Sequence, residues 1–216
     1  MYKRQDQNYV FRGKPNNGHI DLNINPGNNY LVGNPYASSI DAVEFINDNL
    51  GVTTGTLYFW EHWGGGNHIL ADYQGGYALM NLSGGTPSVT LGTPTPGVSN
   101  IGTARKRPGR YIPVSQGFFV VADAGGPIVF ENDQRTFQKE DGSLSSSSVF
   151  IRNSEATAST YETESVGDPR MKFRIGIYTV NTIQRQLLLT IDPNATTAVD
   201  LGYDGVLNET QMDDMY

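Results

Sequence analysis

Apolar and polar residues alternate along much of this chain with a period of two, the period of a strand whose successive side chains point to opposite faces. The cleanest run is Met171-Lys-Phe-Arg-Ile-Gly-Ile-Tyr178. Its Met171, Phe173, Ile175 and Ile177 share one side and are expected inward, with Gln186-Leu-Leu-Leu-Thr-Ile191 as hairpin partner. Thr56–Trp63 alternates too, placing Leu57 and Phe59 on one face and Tyr58, Trp60 and His62 on the other. Ile112–Ala122 is apolar on both faces, the pattern of a central strand covered on two sides. Pro127–Glu131 is expected to pair with it across the Asp123–Gly126 turn. Tyr9–Lys14 and His19–Ile24 flank the cluster Pro15–Gly18 and predict a hairpin. Tyr30–Gly33 and Tyr77–Leu82 read as further strands. Only Ser38–Asn47 breaks the period. A serine to cap it, an acid in its first turn and a narrow stripe of Ile40, Val43 and Ile46 predict one short helix.

Turn residues punctuate these runs. Residues 92–109 are Pro, Gly, Thr and Ser around a basic knot and predict a long exposed loop. Residues 141–148 have the composition of a linker. The expected architecture is therefore all-β: a jelly-roll-like β-sandwich over 6–140, then the start of a second, incomplete β domain over 149–216.

Composition narrows the function classes. Lys and Arg number 15 against 22 Asp and Glu, giving a net charge of −7, a poor balance for a nucleic-acid partner. No apolar run approaches the ~20 residues of a membrane helix. The absence of cysteine removes thiol catalysis, thiolate metal sites and disulfides together. Few charges, 25 glycines and 12 tyrosines fit an extracellular all-β chain. Met1–Gln5 read as a translated sequencing-adapter end, and the chain is expected to be a piece of a longer gene product. These five residues are left out of fold reasoning.

A resemblance adds to this. Leu31-Val-Gly-Asn-Pro-Tyr36 with Ser39-Ile-Asp41, Gly55-Thr-Leu-Tyr-Phe-Trp60, and Gly109-Arg-Tyr-Ile-Pro-Val-Ser-Gln-Gly-Phe-Phe-Val120 follow one another in order. Arg185-Gln-Leu-Leu-Leu189, Asp192-Pro-Asn-Ala-Thr196 and Asp200-Leu-Gly-Tyr-Asp204 complete the series. Together they resemble a recurrent region of large secreted proteins of gliding, Bacteroidetes-type bacteria, proteins sorted by type IX secretion. The resemblance spans nearly everything after residue 5. It implies an exported, surface-associated, multidomain parent and no particular reaction. Ala37 stands where that region usually has Pro, and Ser115 where it usually has Gly.

Four constellations could carry chemistry. Tyr58, Trp60, Trp63, Tyr73 and Tyr77 could stack sugar rings beside Asn67 and Gln74, and could equally be packed core. Glu61, His62 and His68 have the ligand types of a zinc site without its spacing. Asp192, Asn194, Asp200 and Asp204 could hold calcium, although Asx turns account for the same residues. Arg105, Lys106, Arg107 and Arg110 form a basic knot too short for a polyanion site on an acidic chain. No serine-hydrolase elbow, Walker loop, zinc-protease helix or dinucleotide fingerprint is present. The sequence thus reads as a non-catalytic segment of an exported surface protein with a structural or adhesive role. The alternative is a carbohydrate-binding module appended to a polysaccharide-degrading enzyme, and a third reading is an enzyme domain with two carboxylates converging in a cleft. The expected partners are glycans, surface proteins and the parent's other domains.

Overall fold

A computed structural model describes residues 10, 12–64, 73–89, 106–138, 168–179, 183–207, 209–211 and 214–215; the side chains of 62–64, 73 and 74 lie outside this description. The fold is all-β and sandwich-like, with antiparallel sheets and one short helix among the described residues. The strands are β1 (Ile20–Ile24), β2 (Asn29–Gly33), β3 (Ser39–Asp41), β4 (Thr53–Gly64), β5 (Tyr73–Asn81) and β6 (Gly84–Thr86). They continue with β7 (Tyr111–Ile112), β8 (Gly117–Ala122), β9 (Gly126–Phe130), β10 (Arg135–Thr136), β11 (Lys172–Tyr178) and β12 (Gln184–Thr190). The helix α1 is Ala42–Asp48.

The main sheet has the order β2-β8-β4-β5-β6. Its inner face carries Val32, Phe118, Val120, Leu57, Phe59 and Met80, all buried. Against this face pack Phe45 and Ile46 of α1, Ile40 and Ile112 of the β10-β3-β7 sheet, and Ile128 and Phe130 of β9. The Phe45 ring bridges the layers, 5.5 Å from Phe118 edge-on and 5.0 Å from Phe130. Asn49, fully buried at the end of α1, donates to Phe45 O and Val129 O and accepts from Val129 N. It satisfies a helix terminus and pins it to β9 in one residue.

Several sequence expectations are redirected. The expected hairpin of 9–14 with 19–24 does not form: residues 12–15 are not in a strand, and β1 pairs with β9, Ile20 opposite Phe130. Residues 127–131 therefore do not pair with β8. Gly125 and Gly126 take φ of +77° and +120° and turn the chain out of the main sheet. The long run at 112–122 splits into β7 and β8 around a turn in which Gln116 N bonds Pro113 O. Within that turn Ser115 has φ +60°, the sole positive value at a non-glycine among the described residues. The helix starts later than expected. Asp41, not a serine, is its cap, accepting from Val43 N at 3.0 Å, and Ala42, Phe45 and Ile46 form its buried side. Ser39 and Ile40 belong to β3 because Ile40 fills the core opposite Ile112.

The expected linker at 141–148 lies outside the described residues. Beyond it, β11 and β12 form the expected two-stranded hairpin, with Phe173 opposite Leu189. The segment after β12 returns to the main sheet, where Gly202 N donates to Thr54 O and Gly202 O accepts from Leu82 N. That approach requires glycine on both sides. A Cβ on Gly55 would lie 2.5 Å from Gly202 Cα.

Candidate functional site

The outer face of the main sheet carries the aromatic residues. Tyr58 is buried there, and its hydroxyl donates to Val206 O at 3.1 Å. Burial pushes its pKa up to about 12. Trp60 is 49% exposed and lies across Gly75, whose Cβ, if present, would come 2.1 Å from the indole ring. Tyr77, directly opposite in register, meets Trp60 edge-on, centroids 5.0 Å apart and planes at 67°. Phe119 meets Tyr77 in the same way at 5.6 Å and 85°. The rings thus interlock edge to face, the packing arrangement that the aromatic quadrupole favours, and do not present two faces in one plane. Trp63 and Tyr73 continue β4 and β5 in register, and their side chains lie outside the described residues. Phe119 was not among the expected members. Its place on this face follows from its register opposite Tyr58, which only the sheet order reveals.

The described members of the other expected clusters make their bonds within the chain. Glu61 is buried, and both its oxygens accept from Lys106 N at 3.1 Å. His62's side chain and the whole of His68 lie outside the described residues. Asp192 pairs with Arg170 at 2.8 Å and accepts from Asn194 N. Asp200 accepts from the Thr196 amide and hydroxyl, each at 2.6 Å, and Asp204 accepts from Asp200 N. The Asp192–Asn194 contact is an Asx turn, whereas Asp200 and Asp204 each accept from a residue four positions earlier and close the loop backward. No group of three His, Asp or Glu among the described residues could hold a metal ion.

A cleft of about 400 Å³ lies where α1, the β5–β6 turn and residues 107–110 meet the 168–174 segment. Its walls gather Arg107, Arg110, Arg170, Lys172 and Arg174 against Asp168 and Asp192. Most of this charge is spent within the chain. Arg170 binds Asp168, Asp192 and the Leu82 carbonyl. The Arg170 guanidinium, then Lys172, hold the Asp168 carboxyl well below the usual carboxylate range. Arg110 donates to Asp41 at 2.7 Å, and Arg174 donates to Gly85 O and to Gln186. The cleft is a clamp between segments far apart in sequence. The predicted exposed loop at 92–109 is half-buried in its described part: Pro108 is buried and packs on Gly85. Burial also lowers the Lys106 pKa.

The unexpected surface is on the hairpin. Of the four residues expected inward, Ile177 is half-buried, but Met171, Phe173 and Ile175 are 60%, 47% and 50% exposed, and Leu189 and Ile191 on the same face are 57% and 55% exposed. The hairpin turns its polar face to the body instead. Lys172 binds Asp168, Arg174 reaches Gly85 O, and the Thr190 hydroxyl donates to Ser83 O. The carbonyls of the β5–β6 turn need donors, and the polar face carries them. At one end of the apolar face, Arg185 is buried in an ion pair with Asp214.

No curated protein and no solved structure matches this chain. A family does. Its sequence profile, described as a domain of unknown function (DUF8693), matches residues 1–216, and the chain belongs to that family.

Proposed function

We propose that this chain is a non-catalytic segment of an exported, surface-associated multidomain protein, structural and adhesive in role. The observation that carries the reading is the β11–β12 hairpin, which directs its polar face inward and five large apolar side chains outward. An apolar patch on the order of 500 Å² is at the upper end of what monomers expose and marks an interaction surface. Export and a multidomain parent rest on the sequence resemblance. The acidic balance and the internal pairing of the cleft's cations argue against nucleic acid as partner. No described helix is long and apolar enough to cross a membrane.

Trp60 favours a second reading, a carbohydrate-binding module, because half its ring remains available for CH–π stacking. Adhesion to alkyl-coated and polysaccharide-coated sensor chips separates the two. The structural and adhesive reading expects retention on the alkyl surface that the double substitution Phe173→Ser, Leu189→Ser abolishes while Trp60→Ala leaves it intact. Retention on polysaccharide alone, lost in Trp60→Ala, would replace it with the glycan reading.

A further inference from the structure

We propose that the outward face of the β11–β12 hairpin is where two copies of this chain pair. The inference rests on the interaction reading above and names its partner. Three observations lead to a second copy. First, the face is one layer of a sandwich: a two-stranded sheet is marginal by itself, and sheets gain stability by stacking about 10 Å apart on an apolar face. Met171, Phe173, Ile175, Leu189 and Ile191 stay 47–60% exposed, while Ile177 and Leu187 at the other end of the same face are half-buried. Second, the area is sufficient for self-pairing. At about half exposure these five side chains offer roughly 100 Å² each, so two copies would bury on the order of 1,000 Å², the threshold for a specific interface. Third, the centre of the face is free of charge. Lys172 and Arg174 project to the opposite side, where Lys172 pairs with Asp168 and Arg174 bonds Gly85 O, and Arg185 at the edge is neutralised by Asp214. A chain with net charge −7 can therefore meet its own copy here without opposing like charges. The pairing is isologous: the same patch serves both partners across a two-fold axis near the Phe173–Leu189 pair.

Sedimentation equilibrium of the full chain across the micromolar range tests this. The expected mass is twice 23.7 kDa. Phe173→Glu places a charge at the centre of the face, at a position 47% exposed, and, with folding checked by circular dichroism, should return the mass to that of one chain. Leu31→Glu, at an exposed position on β2 of the main sheet, should leave the dimer intact. Because the chain has no native cysteine, Leu189→Cys supplies a single thiol, and mild oxidation should give a covalent dimer on a non-reducing gel. A single-chain mass at every concentration, or a dimer that survives Phe173→Glu, overturns the proposal. A monomer that still adheres through Phe173 and Leu189 would refute the second copy and leave the interaction reading standing.

Discussion

Replacing Gly55 with alanine asks whether the segment after β12 is docked on β4 by direct backbone contact. Gly55 has φ +75°, and a Cβ there would lie 2.5 Å from Gly202 Cα and 2.8 Å from Gly202 N. The left-handed conformation costs an alanine about 1–2 kcal/mol, and the stiffer unfolded chain returns about 0.4–1 kcal/mol. Collision with backbone that must shift adds an overpacking cost of about 1–3 kcal/mol. The expected net loss is roughly 2–4 kcal/mol. Gly51 is the matched control: its φ is +85°, and nothing lies within 4 Å of its Cβ position. Gly51→Ala should therefore lose only about 1 kcal/mol, the conformational part alone. Urea unfolding followed by intrinsic fluorescence measures both losses. Amide exchange at Gly202 and Leu82, whose N–H groups bond across this junction, should accelerate in Gly55→Ala and not in Gly51→Ala. Equal losses in the two variants would refute the docking argument.

Asn49→Ala removes three buried hydrogen bonds that join α1 to β9 and should cost about 2–4 kcal/mol in chemical unfolding. A loss under about 0.5 kcal/mol would mean that the bonds are remade by neighbours. Ser115→Gly relieves the positive φ and should raise stability by up to about 1 kcal/mol, with a matching rise in the thermal midpoint; a fall would show that the glycine's extra unfolded freedom outweighs the relief. Asp168, with its folded pKa depressed by Arg170, contributes stability that is complete above the ordinary value of 3.8 and drains away as pH falls below it. Unfolding free energy measured from pH 6 downward should therefore fall more steeply in the native chain than in Asp168→Asn, and parallel curves would contradict the clamp. Tyr58, raised to about 12, contributes stability that is present below the ordinary tyrosine value of 10 and lost as pH rises through 12. Tyr58→Phe should flatten that alkaline loss, as read by tyrosinate absorbance alongside unfolding.

Much of the fold was legible because strand periodicity is a local property. Leu57 and Phe59 alternate against Tyr58 and Trp60 whatever their partners, and the structure places them on opposite faces of β4 as the alternation requires. The β11–β12 hairpin followed from an alternating run and a neighbouring apolar run, while its register came from the structure. Pairing between distant segments was not legible. β1 joins β9 across about a hundred residues of chain, and nothing in Ile20–Ile24 distinguishes that partner from the nearer 9–14. The helix start was misplaced by a similar competition. Both Ser39 and Asp41 can cap, and the choice fell to Asp41 because Ile40 was claimed by the core and Arg110 was in reach of the carboxylate.

The candidate site divides the same way. Composition and alternation by themselves determined the all-β class and which residues of one strand share a face, while the sheet order decided that Tyr77 and Phe119 join Trp60 on one surface. Only the tertiary structure decided what each face meets. Tyr58 became core because the chain after β12 lays Val206 O against its hydroxyl. The apolar side of β11–β12 became surface because the Gly85 and Ser83 carbonyls drew Arg174 and Thr190 on its polar side toward the body. A period of two states that a strand has two faces. Which one is buried depends on the backbone groups that a distant segment leaves unsatisfied, and that information is not local to either strand.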